Sequence, residues 1–180
     1  MVPTAGLPRG RAGWGWVLAL TGCLVPVMLA TLPPFVGESA RSFLMALFAP
    51  VCHQIPTRSP HLEGVALAVC HRCYGIYWGL VGGVLLFIRL RRVDAWLYRH
   101  APRVLGAALL PSAMDWSAGF LGIWTNTPGS RFLTGLLFGC VAGYFVARGC
   151  VEAMTRTHRQ RQPGTLRSAA GKRALESPEP

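Results

Sequence analysis

The sequence predicts an all-α integral membrane protein with four transmembrane helices, a short interfacial helix between the first and second, and both termini in the cytoplasm. Three observations carry this. Of 180 residues, 52% are hydrophobic and 14% charged, against about 25% charged in a soluble domain. The apolar residues gather into long runs instead of short amphipathic periods, and mean hydropathy is +0.37. Eighteen basic residues against seven acidic ones give a formal net charge of +11, and the basic ones sit between and after the apolar runs. This pattern excludes an ordinary water-soluble enzyme and a disordered chain, and it makes the lipid bilayer the expected partner with no role for nucleic acid. Six cysteines in this length are too sparse for a secreted disulfide scaffold.

A bilayer core of about 30 Å needs about 20 helical residues at a rise of about 1.5 Å each. Four stretches meet that length: Trp14–Leu32, Val65–Ile88, Val104–Trp124 and Phe132–Val151. Pro33-Pro34 closes the first, and Asn126-Thr127-Pro128-Gly129 follows the third. Between the first two lies Ser42–Val51, too short to span and suited to an interfacial helix. The chain therefore divides into a cytoplasmic N-terminus (1–13), a transmembrane domain (14–154) and a basic, disordered cytoplasmic tail (155–180). Leu20-Thr21-Gly22-Cys23 resembles a lipobox, but the apolar run continues to Leu32, which favours an uncleaved helix.

Arginine and lysine set the orientation. Arg9 and Arg11 precede the first span; Arg89, Arg91, Arg92, Arg99 and Arg103 follow the second; Arg148 lies at the C-terminal side of the fourth, and Arg156 and most of the remainder follow it. The first connection holds only Arg41 and Arg58, and the third only Arg131. The basic segments fall on one side of an even number of spans, giving a multi-pass protein of the bacterial cytoplasmic membrane whose tail touches anionic lipid. Within the bilayer, Gly75, Gly79 and Gly83 of the second span and Gly135, Gly139 and Gly143 of the fourth form two small-residue ladders, so these two helices are expected to pack together.

The chemistry concentrates on the predicted outer side. Cys52, His53, His61, Cys70, His71 and Cys73 fall within 22 residues. Helical spacing puts Cys70, Cys73 and Tyr77 on one face, roughly opposite the glycines. A Cys-x-x-Cys pair with a third Cys and a His supplies a tetrahedral site for zinc or another thiophilic metal, with Cys52, Cys70, Cys73 and His53 or His61 as candidate ligands. Alternatively, Cys70 and Cys73 are a dithiol redox pair with Cys52 as resolving partner. They could also form a plain disulfide. Cys23, Cys140 and Cys150 read as small hydrophobes.

Asp115 lies mid-span in the third helix, where an ionisable side chain costs about 2.5–3.5 kcal/mol unless partnered. Counted from the predicted outer ends, Asp115 and Arg72 lie about 13 and 10 Å deep, near enough to pair. Pro111 is expected to loosen the helix close to Asp115. Arg58 is either a lipid-facing anchor or a contact for an anionic head group. No nucleophile elbow, Walker loop or His-Glu-x-x-His pattern is present.

Cys52-His53-Gln54-x-Pro56-x-Arg58-Ser59, Gly64 and Cys70-x-Arg72-Cys73-x-Gly75-x-Tyr77-x-Gly79 together resemble the bacterial membrane-protein family known as domain of unknown function 2085. Its Pro-x-x-x-Asp and Arg-x-x-Thr-Gly elements match Pro111 with Asp115 and Arg131 with Thr134-Gly135, over roughly residues 45–145. Trp116, Ser117 and Ala118 stand where the family carries Gly and, soon after, Gln. The resemblance strengthens the site without implying a reaction. The layout is also similar to bacterial thiol oxidases that reduce quinone, although residues 125–131 lack their second Cys pair. The expected function is thus an outward-facing metal site. A quinone-linked thiol–disulfide oxidoreductase and a small-solute transporter or scaffold are the alternatives, and oligomeric state is not encoded.

Overall fold

The computed structural model describes residues 10–160 and is mostly helical. Helix α1 (Arg11–Thr31) ends in a 3-10 turn at Pro33–Phe35, and α2 (Glu38–Phe48) follows. A second 3-10 turn, Pro56–Arg58, leads into a two-stranded antiparallel hairpin, β1 (His61–Leu62) and β2 (Val65–Ala66). Then come α3 (His71–Arg89), α4 (Asp94–Arg99), α5 (Ala101–Phe120) and α6 (Pro128–Gln160). Among the described residues, three segments are long and apolar enough to cross a membrane: Arg11–Thr31, His71–Arg99 and Pro128–Arg156. Helix α5 has 20 residues, but Pro102, Arg103, Pro111, Ser112 and Asp115 dilute its hydropathy. It runs through Pro111 without interruption. Cys23 is buried within the continuous α1.

The second span differs from the sequence expectation at its start. Val65 opens a strand, not a helix, and α3 begins six residues later at His71. Glu63 and Gly64 have φ of 50° and 79°, the paired left-handed geometry of a tight two-residue hairpin turn, which glycine adopts without steric penalty. The apolar run Leu67-Ala68-Val69 is a bent, non-helical connector that is at most 2% exposed. It is tied to the end of α1 by the Ala68 amide, which donates to the Ala30 carbonyl at 3.0 Å. A short apolar run specifies burial, not conformation. Arg72 consequently occupies the first turn of α3 instead of a position several residues inside a span.

The glycine ladders do meet. Methyl groups added to Gly75, Gly79 and Gly83 would collide with the backbone of Phe132, Leu136 and Cys140, and methyls on Gly135, Gly139 and Gly143 with that of Arg72, Ile76 and Leu80. Numbers rise together along both helices, so α3 and α6 run parallel, with the most extensive helix contact in the molecule. Gly15 of α1 packs on Cys150 and Val151, and the Trp16 indole donates to the Val84 carbonyl at 2.9 Å. Helix α1 is therefore antiparallel to both. Its N-terminus lies beside the far end of α6.

Near that end, Asp94 accepts hydrogen bonds from Tyr144 Oη at 2.6 Å and Arg148 Nε at 2.9 Å. Arg148 also stacks 3.7 Å from the Tyr98 ring centroid. Glu152 pairs with Arg148 and Arg156, one turn to either side. These i,i+4 pairs support the last turns of the helix, and α6 continues to Gln160, so the expected tail boundary at 155 falls inside it. Residues 161–180 of that tail and 1–9 of the N-terminal segment lie outside the described residues.

Candidate functional site

The opposite end of the bundle brings together the C-terminal ends of α1 and α5 and the N-terminal ends of α3 and α6. Here the Thr31 and Tyr74 hydroxyls lie 3.2 Å apart. The segment from Val51 to Ser59 is held over this end by Gln54. Its backbone adopts a φ of 49°, and its Nε2 donates to the carbonyls of Met45 at 2.7 Å and Ala68 at 2.8 Å. One side chain thus staples α2 to the connector before α3. Nothing in the sequence apart from the motif position of Gln54 marks it for that task.

That staple carries Cys52 onto the start of α3. Cys52 packs with Ala68 and Val69 and is 5% exposed; its Sγ accepts a hydrogen bond from the Cys70 amide at 3.2 Å. Cys70 is the residue capping α3, with extended backbone (ψ 164°), and Cys73 sits in the first turn. The three sulfurs lie within 4.8 Å of one another, and all three thiols are free. Hydrogen bonds from the Cys52 and Cys73 thiols, in that order of size, hold the Cys70 thiol far below the usual range despite its burial. Such a site favours a thiolate.

The imidazoles do not close on the sulfurs. The mutually close set is Cys52, Cys70 and Cys73, without His53. His53 is exposed and lines the same cavity. His61 Nδ1 bonds the Ser59 carbonyl at 3.0 Å and His71 Nδ1 bonds the Arg58 carbonyl at 2.7 Å, so each ring braces the loop with one nitrogen. The cavity over the cluster has a volume of about 440 Å³ and is lined by the three cysteines together with polar residues, among them His53, Gln54, Arg58, Arg72 and Arg131, and apolar ones, among them Ile55, Ile76 and Trp116.

Arg72 and Asp115 form the expected pair, Arg72 Nη2 donating to Asp115 Oδ2. Asp115 is also clasped by Asn126, whose Nδ2 donates to its Oδ2 at 2.8 Å and to its backbone oxygen at 2.5 Å. Gly119 permits this, because a methyl there would overlap the Asn126 amide. In sequence, Asn126 beside Thr-Pro-Gly reads as turn chemistry alone, and Arg131 as an orientation count and a position in the Arg-x-x-Thr-Gly element. The fold gives both a place at the site.

Several membrane-length helices, packed through glycine and closed at one end by a thiol cluster beside an ion pair, define a polytopic helical membrane protein. The chain belongs to the family described as predicted membrane protein, DUF2085, whose profile matches residues 52–145. It is also similar to an uncharacterized protein of Methanocaldococcus jannaschii, at 28% identity over 126 residues, covering 67% of this chain and 80% of that one. That relative is archaeal, which takes the comparison beyond the bacterial setting expected from the sequence. No solved structure matches the chain.

Proposed function

We propose that this is a four-span protein of the cytoplasmic membrane that holds a thiophilic metal ion, such as zinc, at Cys52, Cys70 and Cys73 on its outer side. The observation that carries the reading is three free thiols within 4.8 Å of one another, drawn from a loop and a helix start. Tetrahedral zinc with Zn–S of about 2.3 Å needs sulfurs about 3.8 Å apart, a contraction that side-chain rotation supplies. His53, on the wall of the same cavity, is the fourth donor if its side chain turns inward; otherwise the fourth position faces the cavity. Arg72, Asp115 and Arg58 then set the charge around the bound ion.

The test is elemental analysis of detergent-purified protein made without a His tag. About one equivalent of zinc, iron or copper per chain is expected. Cys52→Ser should abolish it and His53→Ala should weaken retention against a chelator. Metal-free wild-type protein whose Cys70 and Cys73 cycle reversibly between dithiol and disulfide would replace the metal site with a redox pair.

Helix α5 is the fourth span in this reading, its Asp115 shielded by Arg72 and Asn126 and its Arg103 near an end. An even number of spans agrees with Gly15, near the start of α1, lying beside Cys150 and Val151, and the arginine-rich end is cytoplasmic by the positive-inside rule. With Cys52, Cys70 and Cys73 replaced by Ser, a membrane-impermeant maleimide should label Thr57→Cys in intact cells, and Arg92→Cys only after permeabilisation. The reverse pattern would invert the topology, and labelling of both would break it.

A further inference from the structure

Beside the thiol cavity lies a second, smaller one of about 110 Å³, and Arg58, Arg72 and Arg131 line both. The three come from separate elements: the Pro56–Arg58 turn, the first turn of α3 and the first turn of α6. Among the described residues, Asp115 is the one carboxylate paired with any of them, through Arg72. Arg58 and Arg131 have no carboxylate partner there, and Arg72 Nε is buried without a hydrogen-bond partner. The cluster therefore carries two uncompensated positive charges. Arginines that merely anchor a protein at the interface point outward to separate lipids; these three converge on one space.

We infer that Arg58, Arg72 and Arg131 form a binding site for a phosphate-type oxyanion. Guanidinium forks match the geometry of phosphate oxygens and bind them with charge-assisted hydrogen bonds. The smaller cavity has room for about four water volumes, the size class of a tetrahedral oxyanion. Its wall also includes Trp116, Gly119, Phe120 and Asn126 but none of the cysteines, so the anion sits away from the sulfurs. The larger cavity shares these arginines and also has Ile55, Ile76 and Trp116 in its lining, apolar surface for whatever carries the anion. The charge is equally suited to a free phosphate and to the head of a phospholipid. This inference does not depend on a bound metal.

Full-length protein in uncharged detergent would be titrated with inorganic phosphate against chloride at equal ionic strength, following its melting temperature. In parallel, native mass spectrometry would count phosphatidylglycerol retained from mixed micelles. Arg58→Gln and Arg131→Gln leave the Arg72–Asp115 pair in place and should each weaken binding about tenfold, the loss of one charge-assisted hydrogen bond. Arg58→Lys should weaken it less, and Arg92→Gln at the opposite end should not. Stabilisation by phosphate, lost in the first two variants, identifies a free oxyanion as ligand. Retained phosphatidylglycerol lost in the same variants, without a phosphate response, identifies a lipid head. No binding of either by the wild type, or binding unchanged in the Arg58→Gln, Arg131→Gln double variant, would overturn the site. Cys52→Ser should bind the anion normally, so failure of the thiol site leaves this result standing.

Discussion

Leucine at Gly79 is expected to abolish folded protein, whereas leucine at Gly22 is expected to leave it intact. A Cβ on Gly79 would lie 2.7 Å from the Gly139 Cα and 2.8 Å from the Cys140 amide nitrogen, while carbon atoms sit best at about 3.5–4.0 Å. Both neighbours are backbone and cannot rotate aside. Relief requires separating α3 from α6, and that contact is the largest in the bundle. Ordinary overpacking costs about 1–3 kcal/mol when flexible side chains can yield; here the helices must part, and the expected loss is larger. Lipid offers no hydrophobic drive to restore the contact once close packing is gone. Gly22 has nothing within 4 Å of an added Cβ, so a leucine there has space to adopt. Size-exclusion profiles of fluorescently tagged protein in detergent extracts would show a monodisperse peak for Gly22→Leu and aggregate or no peak for Gly79→Leu. A normal Gly79→Leu profile would mean that the two helices do not meet through glycine.

The same ladder shows how much of the fold is legible in the residues. Glycine every fourth residue in two separate apolar runs has few uses in lipid other than close backbone approach, so the amino-acid pattern alone implies the α3–α6 contact. An aspartate in the middle of an apolar run demands a partner, and Arg72 is the nearest cation at matching depth. It does pair, even though α3 begins later than the apolar pattern implies, so that counting along the run places Arg72 too deep. Hydrophobicity alone cannot distinguish Leu67-Ala68-Val69 in a non-helical, protein-buried connector from the same residues in a lipid-facing helix. The turn at Glu63-Gly64 is the available signal, and it is weak because only one of the two is glycine. Gathering of the thiols is legible from Cys-x-x-Cys and the nearby Cys52. The staple by Gln54 and the convergence of Arg58 and Arg131 are not, because both depend on how the loop folds back over the helix ends. The position of His53 outside the sulfur cluster is hidden for the same reason.

Reversing the Arg72–Asp115 pair should separate its contribution from that of either residue alone. The side chains are 21% and 8% exposed, respectively, so neither charge is well hydrated. Asp115→Arg would set a second cation against Arg72, in a pocket that already contains Arg58 and Arg131. Arg72→Asp would set two carboxylates together at the end of the bundle. Breaking a buried pair by removing one partner costs about 3–5 kcal/mol, enough to lower the yield of folded protein tenfold or more. The double exchange, Arg72→Asp with Asp115→Arg, restores opposite charges at the same two positions. Asn126 accommodates the exchange because its amide carries both a donor and an acceptor and can present oxygen to the new guanidinium. Recovery should be partial, since arginine is longer than aspartate and the present bond from Asn126 to the Asp115 backbone oxygen competes with that turn of the amide. The expected order of monodisperse yield is wild type, then the double exchange, then either single variant. A double exchange no better than the singles would show that the two residues act separately, with Asn126 as the principal partner of Asp115.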